Sequence, residues 1–263
     1  MKPSNRTGKT ASAPRYRAEI ATETADIHAA FALRYRIFQE EMGAQLHSRL
    51  EGLDYDEFDD YCDHLIVRDR DSDQVVACTR LLPDDAAARL GHFYSQGEFH
   101  LDRILSLPGR ILEMGRTCVD PAHRGSVVLG TLWSGLSAYV HEQRFDYLMG
   151  CASISPGPSG FAVDAVYRQI RPEQLGPSHL AVRPRRPIPH ALRCVRDESG
   201  IPPLLQAYLR LGCWVCGEPC WDEDFNVMDV FILLDLSRIH ARYEKRFISN
   251  HQESEHAFLP AMV

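Results

Sequence analysis

Apolar residues recur along this chain with two periods, and their alternation outlines a mixed α/β domain. Tyr16 to Ala21 alternates as a first strand. From Ala25 to Met42, Ile27, Phe31, Leu33, Ile37 and Phe38 fall close to one helical stripe, with Asp26 in the early turn and Gly43 as the stop. His64 to Arg68 (HLIVR) and Val75 to Leu82 (VVACTRLL) flank turn residues, as the arms of a hairpin do. Arg110 to Val119 is a further strand in which Gly115 marks a bulge or a close approach. Ser126 to Glu142 regains the helical period through Val127, Leu129, Trp133, Leu136 and Val140. Tyr147 to Ile154 is a buried strand. Pro202 to Leu211 is a helix opened by proline and stopped by Gly212. Cys213 to Gly217 and Asn226 to Leu234 are the last strands, and Ser237 to Phe247 a last helix. The order predicts one α/β domain with a mixed central sheet flanked by helices.

The pattern breaks in three places. Gln45 to Asp63 holds Glu51, Asp54, Asp56, Glu57, Asp59, Asp60 and Asp63 among interleaved aromatic residues. Gly91 to His100 is aromatic and irregular. Residues 155–200 form a Pro/Arg-rich insertion, where Arg168, Arg171, Arg183, Arg185, Arg186, Arg193 and Arg196 face one acid, Glu173. Residues 1–15 are polar and basic and are expected to be a disordered leader. Residues 248–263 are an expected disordered tail, which leaves 16–247 as the folded domain.

Composition narrows the function classes. The 263 residues carry a net charge of −7, which implies no global attraction to nucleic acid. The leader lacks the apolar core of a secretory signal, and no apolar run approaches the roughly 18 residues of a membrane span. A cytoplasmic location with reduced thiols is expected for the eight cysteines. Cys213-x-x-Cys216-x-x-x-Cys220 invites a metal reading, but strand alternation puts residues three apart on opposite faces and no histidine follows at ligand spacing. These cysteines are expected to be buried small hydrophobes, and no metal site is expected.

Three constellations can carry chemistry. Asp120-Pro121-Ala-His123-Arg124-Gly125 leads from a strand into a helix at Ser126, whose free N–H groups and positive dipole end suit a phosphate. The alternative is an ordinary strand–helix turn. The acidic loop is either a solvated charge run or a docked loop that receives an ammonium group. Arg80-Leu-Leu-Pro83 and Glu113-Met-Gly-Arg116 place arginines near the middle or end of strands, where an exposed edge or a cleft is needed to solvate them, and a structural ion pair between Glu113 and Arg116 is the alternative.

Taken together, Leu33-Arg-Tyr-Arg-Ile-Phe38, the run Glu51 to Asp59, His64-Leu65, Arg80 to Pro83 and Glu113 to Arg116 resemble the autoinducer-synthase branch of GNAT-like acyltransferases. Cys118 to Gly125, Trp133, Gly150 to Ser153, Pro219 to Asn226 and Asp229 to Leu233 are similar to the ornithine N-acyltransferases that form lyso-ornithine lipid. The resemblance spans about Tyr16 to Phe247 and implies a GNAT-like fold. It implies transfer of a (3-hydroxy)fatty acyl group from acyl carrier protein to the α-amine of L-ornithine, without a covalent acyl-enzyme. In that scheme Glu113 is the base and Arg116 or Arg36 holds the acceptor carboxylate. Asp54, Asp56 or Asp59 receives the side-chain ammonium near Arg80, and backbone N–H groups from Gly115 to Thr117 face the oxyanion. Arg124, Gly125 and Ser126 hold the donor phosphate. Arg124-Gly125-Ser-Val-Val-Leu lacks a later glycine of the usual pyrophosphate loop, which favours the single phosphodiester of a carrier-bound 4′-phosphopantetheine over coenzyme A, with no separate cofactor. The basic insertion then docks the acidic carrier, or contacts the inner membrane peripherally. Glycine, lysine or glutamine as acceptor, an acyl-homoserine-lactone synthase and a non-catalytic binding module are the competing readings.

Overall fold

A computed structural model describes residues 13–194 and 200–238. Among the described residues, ten strands and six α-helices follow one another as β1 (Tyr16–Ile20), α1 (Thr24–Tyr35), β2 (Asp63–Asp69), β3 (Gln74–Pro83), α2 (Asp84–Leu90), β4 (Phe99–His100), α3 (Asp102–Leu105), β5 (Ile111–Val119), α4 (Ser126–Gln143), β6 (Tyr147–Ile154), α5 (Val163–Gln169), β7 (Arg183–Pro184), α6 (Pro203–Leu211), β8 (Trp214–Val215), β9 (Cys220–Asp222) and β10 (Val227–Asp235). The main sheet runs β1-β2-β3-β5-β6-β10-β8, with β9 also on β10. Every pairing in it is antiparallel except β5 with β6, which α4 connects as a crossover.

Strand alternation sorts side chains onto two covered faces. On one, Leu65, Val67, Leu112, Val230 and Ile232 meet Leu132 and Leu136 of α4 and Leu205 and Leu209 of α6. On the other, α1 covers Ile66 and Cys78 with Ala30 and Leu33, while Phe99 and Ile104 pack on Met149, Phe231 and Leu233. Cys213 belongs to the first face and Cys216 and Cys220 to the second, as alternation requires. All three are buried, and burial pushes their thiols up to about 12, 12 and 11, so they are neutral hydrophobes.

Four departures from the periodic pattern bear on the site. The first helix changes at Arg36 to a π-helical turn over Arg36–Glu41, which buries Ile37 and Phe38. Short helices α2 and α3 lie below the length at which periodicity is legible. The Tyr94–Gly97 segment is a 3-10 turn inside the supposed irregular stretch. The insertion is laced to the sheet edge: Val182 donates its N–H to the Cys216 carbonyl, Trp221 to the Arg186 carbonyl and Arg185 to the Glu98 carbonyl. Arg15 grips Asp69 with two nitrogens at 3.0 and 2.7 Å. Ser237 lies in a 3-10 turn, Leu236–Arg238, and the rest of the expected last helix lies outside the described residues, as do residues 1–12, Arg196 and the expected tail.

Candidate functional site

The site begins where two parallel strands part. The β5–β6 ladder holds only at Ile111–Tyr147, Leu112–Leu148 and Glu113–Met149; beyond it β6 pairs with β10 alone. A Cβ on Gly150 would collide with the Met114 carbonyl oxygen, so glycine lets the strands touch at the point of divergence. On its other edge β5 carries one extra residue. Cys78 opposes Cys118 and Arg80 opposes Gly115, which leaves Arg116 and Thr117 outside the ladder. Arg116 takes φ +51°, and Thr79 clasps the bulge through the Gly115 carbonyl at 3.1 Å and the Thr117 hydroxyl at 2.7 Å. The bulge turns the Arg116 side chain into the gap.

The gap opens into a cavity of about 350 Å³ that takes lining from both faces of the sheet. Leu129, Trp133, Leu204, Tyr208, Leu211 and Ile232 make an apolar half between α4 and α6. Arg80, Ser95, Glu113, Arg116, Asp222 and Asp229 make a charged half under the second face. Gly115, Thr117, Arg124 and Gly125 also line it, and a Cβ at either glycine would meet nothing within 4 Å.

The mouth beside Arg124 lies at the start of α4. Gly125, with φ 176°, makes no side-chain cap, so the first-turn N–H groups at Ser126 face outward without one. Arg124 reaches Glu41 at 2.6 Å, and Arg36 reaches Asp120 at 3.2 Å. Arg36 therefore stands on the exposed rim of the donor-side turn and is not a lining residue of the cavity. This end can take an anionic phosphate. The apolar half can take a hydrocarbon chain.

The acidic loop docks by ion pairs. Arg34, 1% exposed, donates to Asp54 at 2.7 Å and to both oxygens of Asp59 at 2.7 and 3.0 Å. Arg80 donates to Asp56 at 2.6 Å and lies 3.4 Å from Asp59. Arg116 sits 3.3 Å from Asp54 and from Asp56. Burial opposes ionisation of Asp59, but Arg34 and Arg80 outweigh it and hold its carboxyl below the usual range. Three arginines thus engage Asp54, Asp56 and Asp59. The ammonium of an acceptor would have to compete with those guanidinium groups.

Glu113 does not pair with Arg116. One of its oxygens accepts the Tyr94 N–H at 2.7 Å and the other the Ser95 N–H at 2.8 Å, tying the 3-10 turn to β5. Burial raises its pKa against those hydrogen bonds. Glu113 is also a lining residue of the cavity.

A second acidic group lies outside the candidate residues. Glu98, Asp229 and Cys151 present ligating atoms within 4.8 Å of one another, and Asp222 adds its charge. Burial, reinforced by Asp229, pushes Glu98 well above the carboxylate range; burial, reinforced by Asp222, pushes Asp229 up to about 6. The legible signal was Asp229 itself, an acid inside the apolar run VMDVFILL.

Comparisons with known proteins bear on the family and the fold. The acetyltransferase (GNAT) domain family matches residues 33–134. An L-ornithine N(alpha)-acyltransferase of Rhodobacter capsulatus is 34% identical, covering 88% of this chain and 93% of its own. The Brucella abortus L-ornithine N(alpha)-acyltransferase is 36% identical and covers 85% of each chain. The Rhizobium meliloti enzyme of the same name is 34% identical, covering 85% and 81%. Among solved structures, a CoA-dependent acyl-homoserine lactone synthase with SAM and isopentyl-CoA has a TM-score of 0.55 at 16% identity, covering 93% of this chain and 95% of its own. An N-acyl amino acid synthase from uncultured soil microbes has a TM-score of 0.51 at 12% identity, covering 86% and 93%. These two likenesses concern the fold.

Proposed function

Because this chain belongs to the L-ornithine N(alpha)-acyltransferase family, we propose that it moves a fatty acyl group from the phosphopantetheine thioester of acyl carrier protein to the α-amine of L-ornithine. It is an N-acyltransferase of the GNAT fold. The observation that carries the substrate assignment is the cavity crossing the parted sheet, apolar between α4 and α6 and charged under the opposite face. Such a space seats a hydrocarbon chain and a zwitterion on either side of one reacting carbonyl.

The donor phosphate lies at the α4 start, beside Arg124, Gly125 and Ser126, with Arg36 on the rim. The acceptor carboxylate faces Arg116, a guanidinium suited to fork binding. The α-ammonium loses a proton through water to Glu113 and becomes nucleophilic. Its lone pair attacks the thioester carbonyl, and backbone N–H groups of the Gly115–Thr117 bulge face the oxyanion. The intermediate collapses to amide, and the departing pantetheine sulfur takes up a proton, so no acyl-enzyme forms. Arg34, Arg80, Asp54, Asp56 and Asp59 hold Arg116 in register.

The basic insertion supports an acidic carrier protein as donor, steered by charges such as Arg183 and Arg186. Val127 and Met42, exposed near the donor mouth, offer that partner or a membrane surface an apolar contact. Among the described residues no helix is long and apolar enough to cross a membrane. Mass spectrometry of lipids from a heterologous host expressing the chain tests the acceptor. A lyso-ornithine lipid is expected, and an acyl-glycine in its place would overturn the reading.

A further inference from the structure

The carboxylates of Glu98 and Asp229 are each more than nine-tenths buried. Both oxygens of Glu98 and Oδ1 of Asp229 lack a hydrogen-bond partner among the described residues. The ion pairs of the described residues engage neither of them, nor Asp222. Asp222 is turned partly to its own chain, accepting the Asp224 and Phe225 N–H groups at 2.9 and 3.0 Å. Asp229 and Asp222 nevertheless line the charged half of the cavity, together with Arg116 and Glu113. Leaving a polar group buried and unpaired costs about 1–3 kcal/mol, more for a charge, so a folded chain rarely keeps such a group without use for it.

We propose that Glu98, Asp222 and Asp229 form the subsite that receives the side-chain ammonium of the acceptor and so select a diamino acid. The proposal rests on the reading that this cavity holds the amino acid substrate. It gives the acceptor two charged ends to satisfy, with its carboxylate at Arg116 and its distal ammonium at the acids, while the α-amine lies between them at the gap. A divalent cation is the other cationic occupant. It fits less well, because the third ligating group, Cys151, has its thiol pushed far up by burial and offers no thiolate. An ammonium instead donates up to three hydrogen bonds, and both Glu98 oxygens and Asp229 Oδ1 are acceptors without a partner among the described residues.

The test compares L-ornithine with L-norvaline, the same amino acid without the distal amine, using long-chain acyl carrier protein as donor. The wild type is expected to favour ornithine by about 100-fold in kcat/KM. In Asp229→Asn and Glu98→Gln the KM for ornithine should rise by roughly 50-fold, while norvaline changes by less than about threefold. Calorimetry on the wild type, which needs no variant to fold, should show ornithine binding and norvaline binding far more weakly. Retained discrimination in both variants, or an equal loss with both acceptors, overturns the proposal. So does a stoichiometric metal whose chelation abolishes turnover. A wild type that acylates lysine but not ornithine would end the ornithine reading and leave this subsite standing. One that acylates only neutral amino acids would end both.

Discussion

Two groups of carboxylates lie within reach of Arg116, and they differ in what surrounds them. Asp54, Asp56 and Asp59 meet three guanidinium groups, with bonds down to 2.6 Å, and burial fails to neutralise Asp59 because Arg34 and Arg80 hold it charged. Glu98 and Asp229 are equally sheltered, meet no guanidinium in an ion pair among the described residues, and have pKa values driven upward. The first group is completed by the chain itself and holds a loop and an arginine in place. The second is incomplete in the isolated protein. Burial of a charge therefore signals structure or ligand according to whether its partner is covalently part of the same chain.

The sharpest way to break the comparison is to unpair the completed group. Asp59→Asn leaves Arg34 buried with half its partners, and a loss of about 3–5 kcal/mol in urea unfolding is expected. A loss below about 1 kcal/mol would mean that water reaches the network. Glu113 is an intermediate case, a buried acid completed by backbone N–H groups. Glu113→Gln should lower turnover roughly 100-fold. It should also cost about 1–2 kcal/mol of stability, since one accepting carboxylate oxygen becomes an NH2 donor facing a backbone N–H. Stability lost with turnover kept would reduce Glu113 to the clasp of the Tyr94–Gly97 turn.

The incomplete group should respond in the opposite sense. A raised carboxyl pKa stabilises the fold below the ordinary carboxylate range and loses that contribution as pH rises through the folded value. Between about pH 4 and pH 6 the wild type should therefore lose on the order of 2 kcal/mol through Asp229 that Asp229→Asn does not lose. At pH 8 the variant should melt at the higher temperature, and a lower melting temperature there would show that Asp229 has a stabilising partner in the free protein. The smallest effect concerns charges whose partner is another molecule altogether. Arg183→Glu with Arg186→Glu should raise the KM for acyl carrier protein about fivefold at low salt, leave kcat unchanged, and show no effect near 1 M salt. Persistence of the difference at high salt would remove the steering role.

The fold was largely legible because its signals are local. Strand and helix periods, the stop at Gly212 and the punctuation at Gly115 can be counted along the chain, and the opposite faces of Cys213 and Cys216 follow from alternation alone. The site was legible as a set of residue types but not as a set of partners. Arg34 and Asp59 are 25 residues apart and Arg116 and Asp56 are 60 apart, and nothing local says which acid meets which arginine. Glu113 beside Arg116 in sequence suggested an ion pair, yet the bulge turns them to different neighbours. Glu98 gave no local signal, and the segment that meets its backbone, with the Arg185 N–H donating to the Glu98 carbonyl, lies far along the chain. Asp229 gave a clear one, since a charge inside an eight-residue apolar run has to be explained by something outside the run.

The parted sheet has a consequence for what happens after the amide forms. On the proposed reaction, two substrates that approach from opposite faces become one molecule, with its head group in the charged half of the cavity and its tail between α4 and α6. That product is threaded through the protein like a cord through an eyelet. It cannot leave by simple reversal of either entry; one end has to be drawn past Gly150 and the Arg116 bulge. On the proposed reaction, product release is then an unthreading, and a hydrophobic acceptor surface at the tail end would pull it forward.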